Sequence, residues 1–185
     1  MKTVFISGSM HIKKLDDNVQ YRLNNIMDSG LSVLVGDADG VDTSIQNYLH
    51  ANNFDSVVVY CSGNRPRNNV GGWIVREVKT NHKPGTRAFY TAKDVEMART
   101  ADFGFMIWDT KSTGTLSNIF ELLSLGKKSL VYINKNKEFF KVSSVYEVES
   151  LLSIMSIGAF QLAEQKIEIP KRLSAMKTKQ LSWLT

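Results

Sequence analysis

Short apolar runs alternate with longer amphipathic stretches along this chain, the pattern of β-α units that feed a parallel sheet. Thr3-Val4-Phe5-Ile6 reads as the first strand. A helix from Asp16 to Asp28 follows, with Val19, Leu23, Ile26 and Met27 on one face, and Asp28-Ser29-Gly30 supplies its stop. Leu31 to Val35 is the second strand and Val41 to Ala51 its helix, with Val41, Ile45, Tyr48 and Leu49 inward; Ser56 to Tyr60 is the third strand. Cys61 to Gly85 is rich in glycine and proline and reads as a long loop with a helical turn around Trp73 to Lys79. A loop of that length in a compact domain is usually functional.

Regular patterning resumes with a helix from about Tyr90 to Thr100, a strand at Phe103 to Trp108, a helix from about Thr115 to Leu125 closed by Gly126, and a strand at Ser129 to Ile133. Phe139 to Val142 fits a short edge strand, Val145 to Met155 is an amphipathic helix, and the last fifteen residues read as loosely held. The pattern therefore predicts an α/β, Rossmann-like three-layer sandwich around a central, mainly parallel five-stranded sheet. Residues 1–142 form that domain, and 143–185 a C-terminal helical extension packed on it. There is no internal repeat and no low-complexity tract.

With 185 residues, 43% hydrophobic and 22% charged, one three-layer domain fits and two would be cramped. No apolar stretch approaches the roughly 20 residues of a membrane helix, and MKTVFISGSM turns polar too early for a secretory signal; a cytoplasmic location is the expectation. The single Cys61 excludes an internal disulfide and Cys-cluster metal sites, and His11, His50 and His82 lack ligand spacing. Neither a metal nor a resident cofactor is implied. A net charge of +5 suits an anionic partner. Basic residues gather at Arg65, Arg67, Arg76, Lys79, Lys83 and Arg87, and again from Lys166 to Lys179, the latter reading as a solvated face.

Right-handed crossovers put every strand-to-helix loop on the carboxyl edge of such a sheet, and ligands sit where the strand order reverses. Three loops there carry suitable chemistry. Ser7-Gly8-Ser9 offers close backbone approach and hydroxyl donors, although an ordinary strand-ending turn reads the same. Gly36-Asp37-Ala38-Asp39-Gly40-Val41-Asp42 leads into a helix N-terminus, where unpaired amides attract an anion. Asp39 reads as a helix cap, and Asp42 equally as a cap or a ribose contact. Trp108-Asp109-Thr110-Lys111-Ser112-Thr113-Gly114-Thr115-Leu116 is the most hydroxyl-rich, and the amides of Thr113, Gly114 and Thr115 suit a phosphate. No Gly-Lys-Ser/Thr follows at Walker A spacing. Arg65-Pro66-Arg67-Asn68-Asn69 adds planar donors that suit a phosphate; a solvated basic loop is the slightly favoured reading residue by residue, and Arg65 is the best single candidate for a clamp.

Ser-Gly-Ser, Gly-Asp-Ala-Asp-Gly-Val-Asp, Asp-Thr-Lys-Ser-Thr-Gly-Thr and Gly-Lys-Lys, in that order over residues 2–133, resemble the SLOG superfamily. That group includes the Lonely-guy phosphoribohydrolases, the DNA-processing protein A Rossmann domain and nucleotide sensors of bacterial conflict systems. Asp94 to Tyr132 is also similar to the nucleoside 2-deoxyribosyltransferases. The resemblance implies a bacterial or phage protein with a ligand built on a nucleoside or its phosphate. Enzymes of both groups carry a catalytic glutamate three residues after the threonine of a Gly-Thr pair, and here that position is Asn118. A neutral amide can bond a ribose hydroxyl but cannot attack an anomeric carbon. Asp109 matches the deoxyribosyltransferase aspartate after the same strand, and Glu121, one turn beyond Asn118, is a second candidate acid.

Three functions follow. The favoured one is a sensor or carrier binding a nucleotide-derived ligand through Ser7, Gly8, Ser9, Gly36, Asp37, Gly40, Asp42, Arg65, Trp108, Thr113, Gly114, Thr115 and Asn118. The alternative is an N-glycosidic-bond hydrolase or transferase using Asp109 or Glu121, with Trp108 or Tyr90 flanking the base. A single-stranded DNA-binding domain ranks last, because stacking aromatics are sparse among the basic clusters. Apolar residues around Trp73, Phe103, Phe105 and Leu151 to Ile157 suggest a homo-oligomer, although burial in the core explains most of them equally well.

Overall fold

The computed structural model describes residues 1–181, with side chains to residue 178. The strands are β1 (Thr3–Gly8), β2 (Ser32–Gly36), β3 (Val57–Ser62), β4 (Ile74–Val78), β5 (Phe103–Trp108), β6 (Ser129–Ile133) and β7 (Glu138–Val142). The helices are α1 (Asp17–Asp28), α2 (Val41–Ala51), α3 (Arg87–Thr100), α4 (Thr113–Ser124), α5 (Val145–Leu152), α6 (Ile157–Ile167) and α7 (Ile169–Leu181). One seven-stranded sheet runs in the order β4-β3-β2-β1-β5-β6-β7. All pairs are parallel except β6 with β7. The fold is Rossmann-like α/β, and the strand order reverses between β1 and β5.

Alternation along each strand builds two cores. Val4, Ile6, Val33, Val35, Val57, Val59, Phe105 and Ile107 face α1 and α2. Phe5, Leu34, Tyr60, Met106 and Trp108 face α3 and α4, and the same cluster takes in Val148, Leu151, Ala163, Ile169 and Met176 from α5 to α7. Covering both faces is why the central strands are almost continuously apolar. Trp73, Phe105 and Leu151 are buried in these cores, so for these three the core reading holds and not the subunit contact. The last fifteen residues begin inside α7, with Met176 buried, and 182–185 lie outside the described residues, as does the side chain of Lys179 of the basic tail.

The sheet has seven strands rather than five. Trp73 to Lys79 is no helical turn: Ile74 to Val78 pairs with Val58 to Ser62 along the otherwise open edge of β3. Asn69 brackets the strand start, its side chain accepting from the Trp73 amide at 3.0 Å and donating to the Trp73 carbonyl at 2.9 Å. The Trp73 indole donates to the Phe54 carbonyl at 3.2 Å. An unpaired β3 edge would leave backbone groups unsatisfied, and that demand outweighs local composition. Phe139 to Val142 does form an edge strand, β7.

Candidate functional site

Ser9 is the point where three crossover turns meet. It is buried, and its amide donates to the Ile107 carbonyl at 3.0 Å. Its hydroxyl donates to Asp109 Oδ2 at 2.6 Å. Its carbonyl accepts from the Val41 amide at the start of α2 at 3.2 Å. Gly8 permits this closure, because a Cβ there would strike the Ile107 carbonyl oxygen and lie 2.7 Å from Val41 Cγ2. The turns after β1, β2 and β5 therefore share the reversal point of the sheet, where open α/β sheets hold ligands.

Asp109 anchors the β5–α4 turn. Its Oδ1 accepts from the amides of Lys111 and Ser112 at 3.0 and 2.7 Å. Burial opposes its ionisation, but the Ser9 hydroxyl and these amides outweigh that and hold its carboxyl below the usual range. Both oxygens are thus engaged. Ser112 caps α4, accepting from the Thr115 amide at 3.4 Å and the Thr115 hydroxyl at 3.0 Å. The amides of Thr113 and Gly114 precede the first intrahelical donor, the Leu116 amide on the Ser112 carbonyl, and have no partner among the described residues. A Cβ on Gly114 would meet nothing nearer than Ser112 Oγ at 4.0 Å, so no neighbour crowds the side-chain position of Gly114. Asn118 is buried and donates to Ser7 Oγ at 3.3 Å. Trp108 is fully buried, with its indole N–H on the Ser112 carbonyl at 3.1 Å.

The turn after β2 holds a buried charge cluster. Lys93 of α3 is 3% exposed and lies 2.7 Å from Asp94 and 3.9 Å from both Asp37 and Asp42. Gly36 leaves room for it: a Cβ there would fall on Asp42 Oδ2 and 2.6 Å from Lys93 Nζ. Arg67 grips Asp37 through Nε at 3.1 Å, Nη2 at 2.8 Å and its own amide at 3.0 Å. Burial works against ionisation of Asp37, but Arg67 overcomes it and keeps that carboxyl low. Lys93 is held above its ordinary value: burial opposes its charge, and Asp94 and Asp42 more than offset it. Asp42 has one buried oxygen without a partner, and burial pushes its carboxyl up to about 7 against the attraction of Lys93. Neither Asp39 nor Asp42 caps α2; Gly40 does, with no side-chain bond, and Asp39 accepts from Asn68 at 3.1 Å.

This cluster has a pH signature. Between the ordinary carboxyl value of 3.8 and about 7 the folded chain holds a proton on Asp42 that the unfolded chain has released. Stability therefore declines as pH rises across that window, by up to about 1.4 kcal/mol per pH unit. Urea unfolding at pH 5 to 8 should show this decline in the wild type and a flat profile in Asp42→Asn; parallel profiles would refute the assignment.

The β3–β4 loop, expected to be functional, is pinned to the same turn. Gln46 of α2 donates to the Gly36 carbonyl at 2.9 Å and accepts from the Val70 amide at 2.9 Å, while Asn68 donates to the Asp37 carbonyl at 2.8 Å. Arg65 is exposed and has no hydrogen bond or ion pair among the described residues, whereas Arg67 makes the bidentate contact. Glu121 lies apart from the crossover turns: it faces Arg172 of α7 at 3.8 Å and lines an α4–α7 groove of about 400 Å³. In the basic tail, Lys171 pairs with Glu168, Lys177 with Glu149, and Arg172 with Ser117 and Glu121. Sequence reasoning missed Lys93, although it shares the inward face of α3 with Met97, four residues on. No cluster of metal-binding side chains occurs among the described residues, and no helix there is long and apolar enough to cross a membrane.

No family model and no curated protein matches the chain. Among solved structures it is similar to DNA processing protein A from Helicobacter pylori, described for its single-stranded DNA binding mode, at 14% identity and a TM-score of 0.52. The similarity covers 70% of this chain and 64% of that one, so it spans less than two thirds of the neighbour. What the two share is the Rossmann-like fold.

Proposed function

We propose that this Rossmann-like domain is a sensor or carrier that binds a nucleotide or nucleotide-derived ligand at the carboxyl edge of its sheet. One observation carries the reading: at the strand-order reversal, where Ser9 joins three turns, the Thr113 and Gly114 amides have no partner among the described residues, and the side-chain position of Gly114 is uncrowded. Helix N-termini with free amides favour phosphate. Binding is preferred to glycosidic chemistry because Asn118 is neutral and bonded to Ser7, both oxygens of Asp109 are engaged, and Glu121 faces α7. The positive charge of an oxocarbenium-like transition state would find Asn118 neutral and Asp109 already committed in the β5–α4 turn.

Gly114→Asp tests the reading with two opposite signs. A carboxylate in the first turn of α4 should stabilise the fold by about 0.3–1 kcal/mol. The same carboxylate repels phosphate, so calorimetric affinity for nucleoside monophosphates should fall more than about tenfold, ~1.4 kcal/mol. Unchanged affinity in a stable variant would sink the proposal.

A second reading draws on the structural neighbour, which binds single-stranded DNA. Arg65, Lys79, Lys83 and Arg87 are exposed around β4 and the start of α3 and would meet a phosphate backbone. That reading requires oligonucleotide affinity falling steeply with salt, whereas a mononucleotide site gives a shallow dependence.

A further inference from the structure

Arg67 and Tyr90 form a stack, with the guanidinium carbon 4.7 Å from the ring centroid. Its orientation is fixed from beneath. The Nε and Nη2 donors of Arg67 are committed to Asp37, which is only 3% exposed. The Tyr90 ring is braced edge-on by Phe89, with centroids 5.4 Å apart at 82°. Yet the Arg67 side chain remains 39% exposed and Tyr90 38%. The Asp37 fork and the Asn68 and Gln46 bonds already hold the loop. What the ring adds is a flat, cationic and partly open surface whose freedom has already been removed, which lowers the entropy cost of placing a ligand on it.

The location matters as much as the chemistry. Tyr90 belongs to the first turn of α3, and α3 and α4 lie side by side on one face of the sheet, sharing the core of Met97, Ala98, Leu116 and Phe120. Packed helices lie about 8–10 Å apart, and both begin at the carboxyl edge. The stack and the unpaired amides of Thr113 and Gly114 therefore stand at the starts of two neighbouring helices, on the same edge of the sheet. Arg172 adds a cation beside α4, with Nη1 3.2 Å from Ser117 Oγ.

We infer that the Arg67–Tyr90 stack is the base platform of the nucleotide site, with the base lying flat against its open face while the phosphate reaches the start of α4. The inference rests on the preceding functional reading and adds its base-binding half. Stacking on a ring and a guanidinium plane uses the π-face common to every base, so the platform accepts purines and pyrimidines alike.

Calorimetry with adenosine, guanosine, cytidine and uridine 5′-monophosphates, beside ribose 5-phosphate, separates the two claims. The wild type should bind the nucleotides roughly ten- to a hundredfold more tightly than ribose 5-phosphate, the range that one stacked base supplies. Tyr90→Ala should bring the nucleotides down to the ribose 5-phosphate level without changing ribose 5-phosphate itself, and Tyr90→Phe should restore the difference. Equal wild-type affinities for nucleotide and ribose 5-phosphate, or full nucleotide affinity in Tyr90→Ala, would overturn the platform and leave the phosphate site standing. Binding of neither ligand by the wild type would overturn the functional reading and the platform with it. Tyr90 lies outside both cores, so melting temperatures of the variants should match the wild type.

Discussion

Replacing Lys93 with methionine is expected to destabilise the fold by about 3–5 kcal/mol at pH 8, the cost of leaving buried charges without their partner. Methionine keeps the length and apolar stem of the side chain and deletes only the ammonium. Asp37 retains its Arg67 fork, but Asp42 and Asp94 lose the cation that faces them at 3.9 and 2.7 Å. Coulomb attraction across such distances is large only because solvent is excluded, and for the same reason its removal is costly. The deficit should shrink on acidification. Asp42 already takes up its proton at about 7 in the wild type, and without Lys93 its carboxyl moves higher still, so by pH 5.5 the variant sheds the unpaired charge of Asp42. Urea unfolding of Lys93→Met at pH 8 and 5.5 measures both effects. A loss below about 1 kcal/mol at pH 8 would mean that the cluster is hydrated and screened.

The strands that the sequence revealed and those it concealed differ in how many sides are buried. β1, β2, β3, β5 and β6 carry helices on both faces, so their composition alone marks them. Ile74 to Val78 has β3 as its one neighbouring strand and is mostly exposed, with α3 on one face; its conformation is imposed by the open edge of β3, a tertiary demand that no local pattern encodes. From sequence, Gly8 suits close approach of a ligand, Gly36 opens a turn into a helix N-terminus, and Gly114 lends its amide to a phosphate. Gly8 instead admits Val41 and the Ile107 carbonyl, and Gly36 admits Asp42 and Lys93. Gly114 is the one of the three whose side-chain position no neighbour crowds. Composition shows that a backbone position is unobstructed by its own side chain, but the neighbour that uses the room emerges only in three dimensions. Arg65 and Arg67 illustrate the same limit, since a loop has no period from which to read which arginine turns inward; Asp37 selects Arg67. A lysine in an amphipathic helix is ordinarily solvated, and only its phase with Met97 distinguishes Lys93.

Gly40→Ala should cost more than about 3 kcal/mol, because two penalties coincide. At φ 76° and ψ −125° the residue occupies a region that L side chains avoid, worth about 1–3 kcal/mol by itself. In addition, the new Cβ would land on the backbone of Met10, touching its Cα, carbonyl carbon and oxygen. Met10 has little freedom to retreat, since the turn around it is closed by the Ile12 amide on the Ser9 carbonyl at 3.2 Å, the same carbonyl that receives Val41. Relief must come from parting the β1 and β2 turns, so nucleotide affinity should fall together with stability. Gly30→Ala isolates the conformational part: Gly30 has φ 64° and nothing within 4 Å of its would-be Cβ, and about 1–2 kcal/mol is expected there. Urea midpoints of the two variants, with nucleotide titrations at a temperature where both remain folded, provide the comparison. Equal losses in the two would show that positive φ accounts for the whole effect and that the approach of Gly40 to Met10 does not hold the turns together.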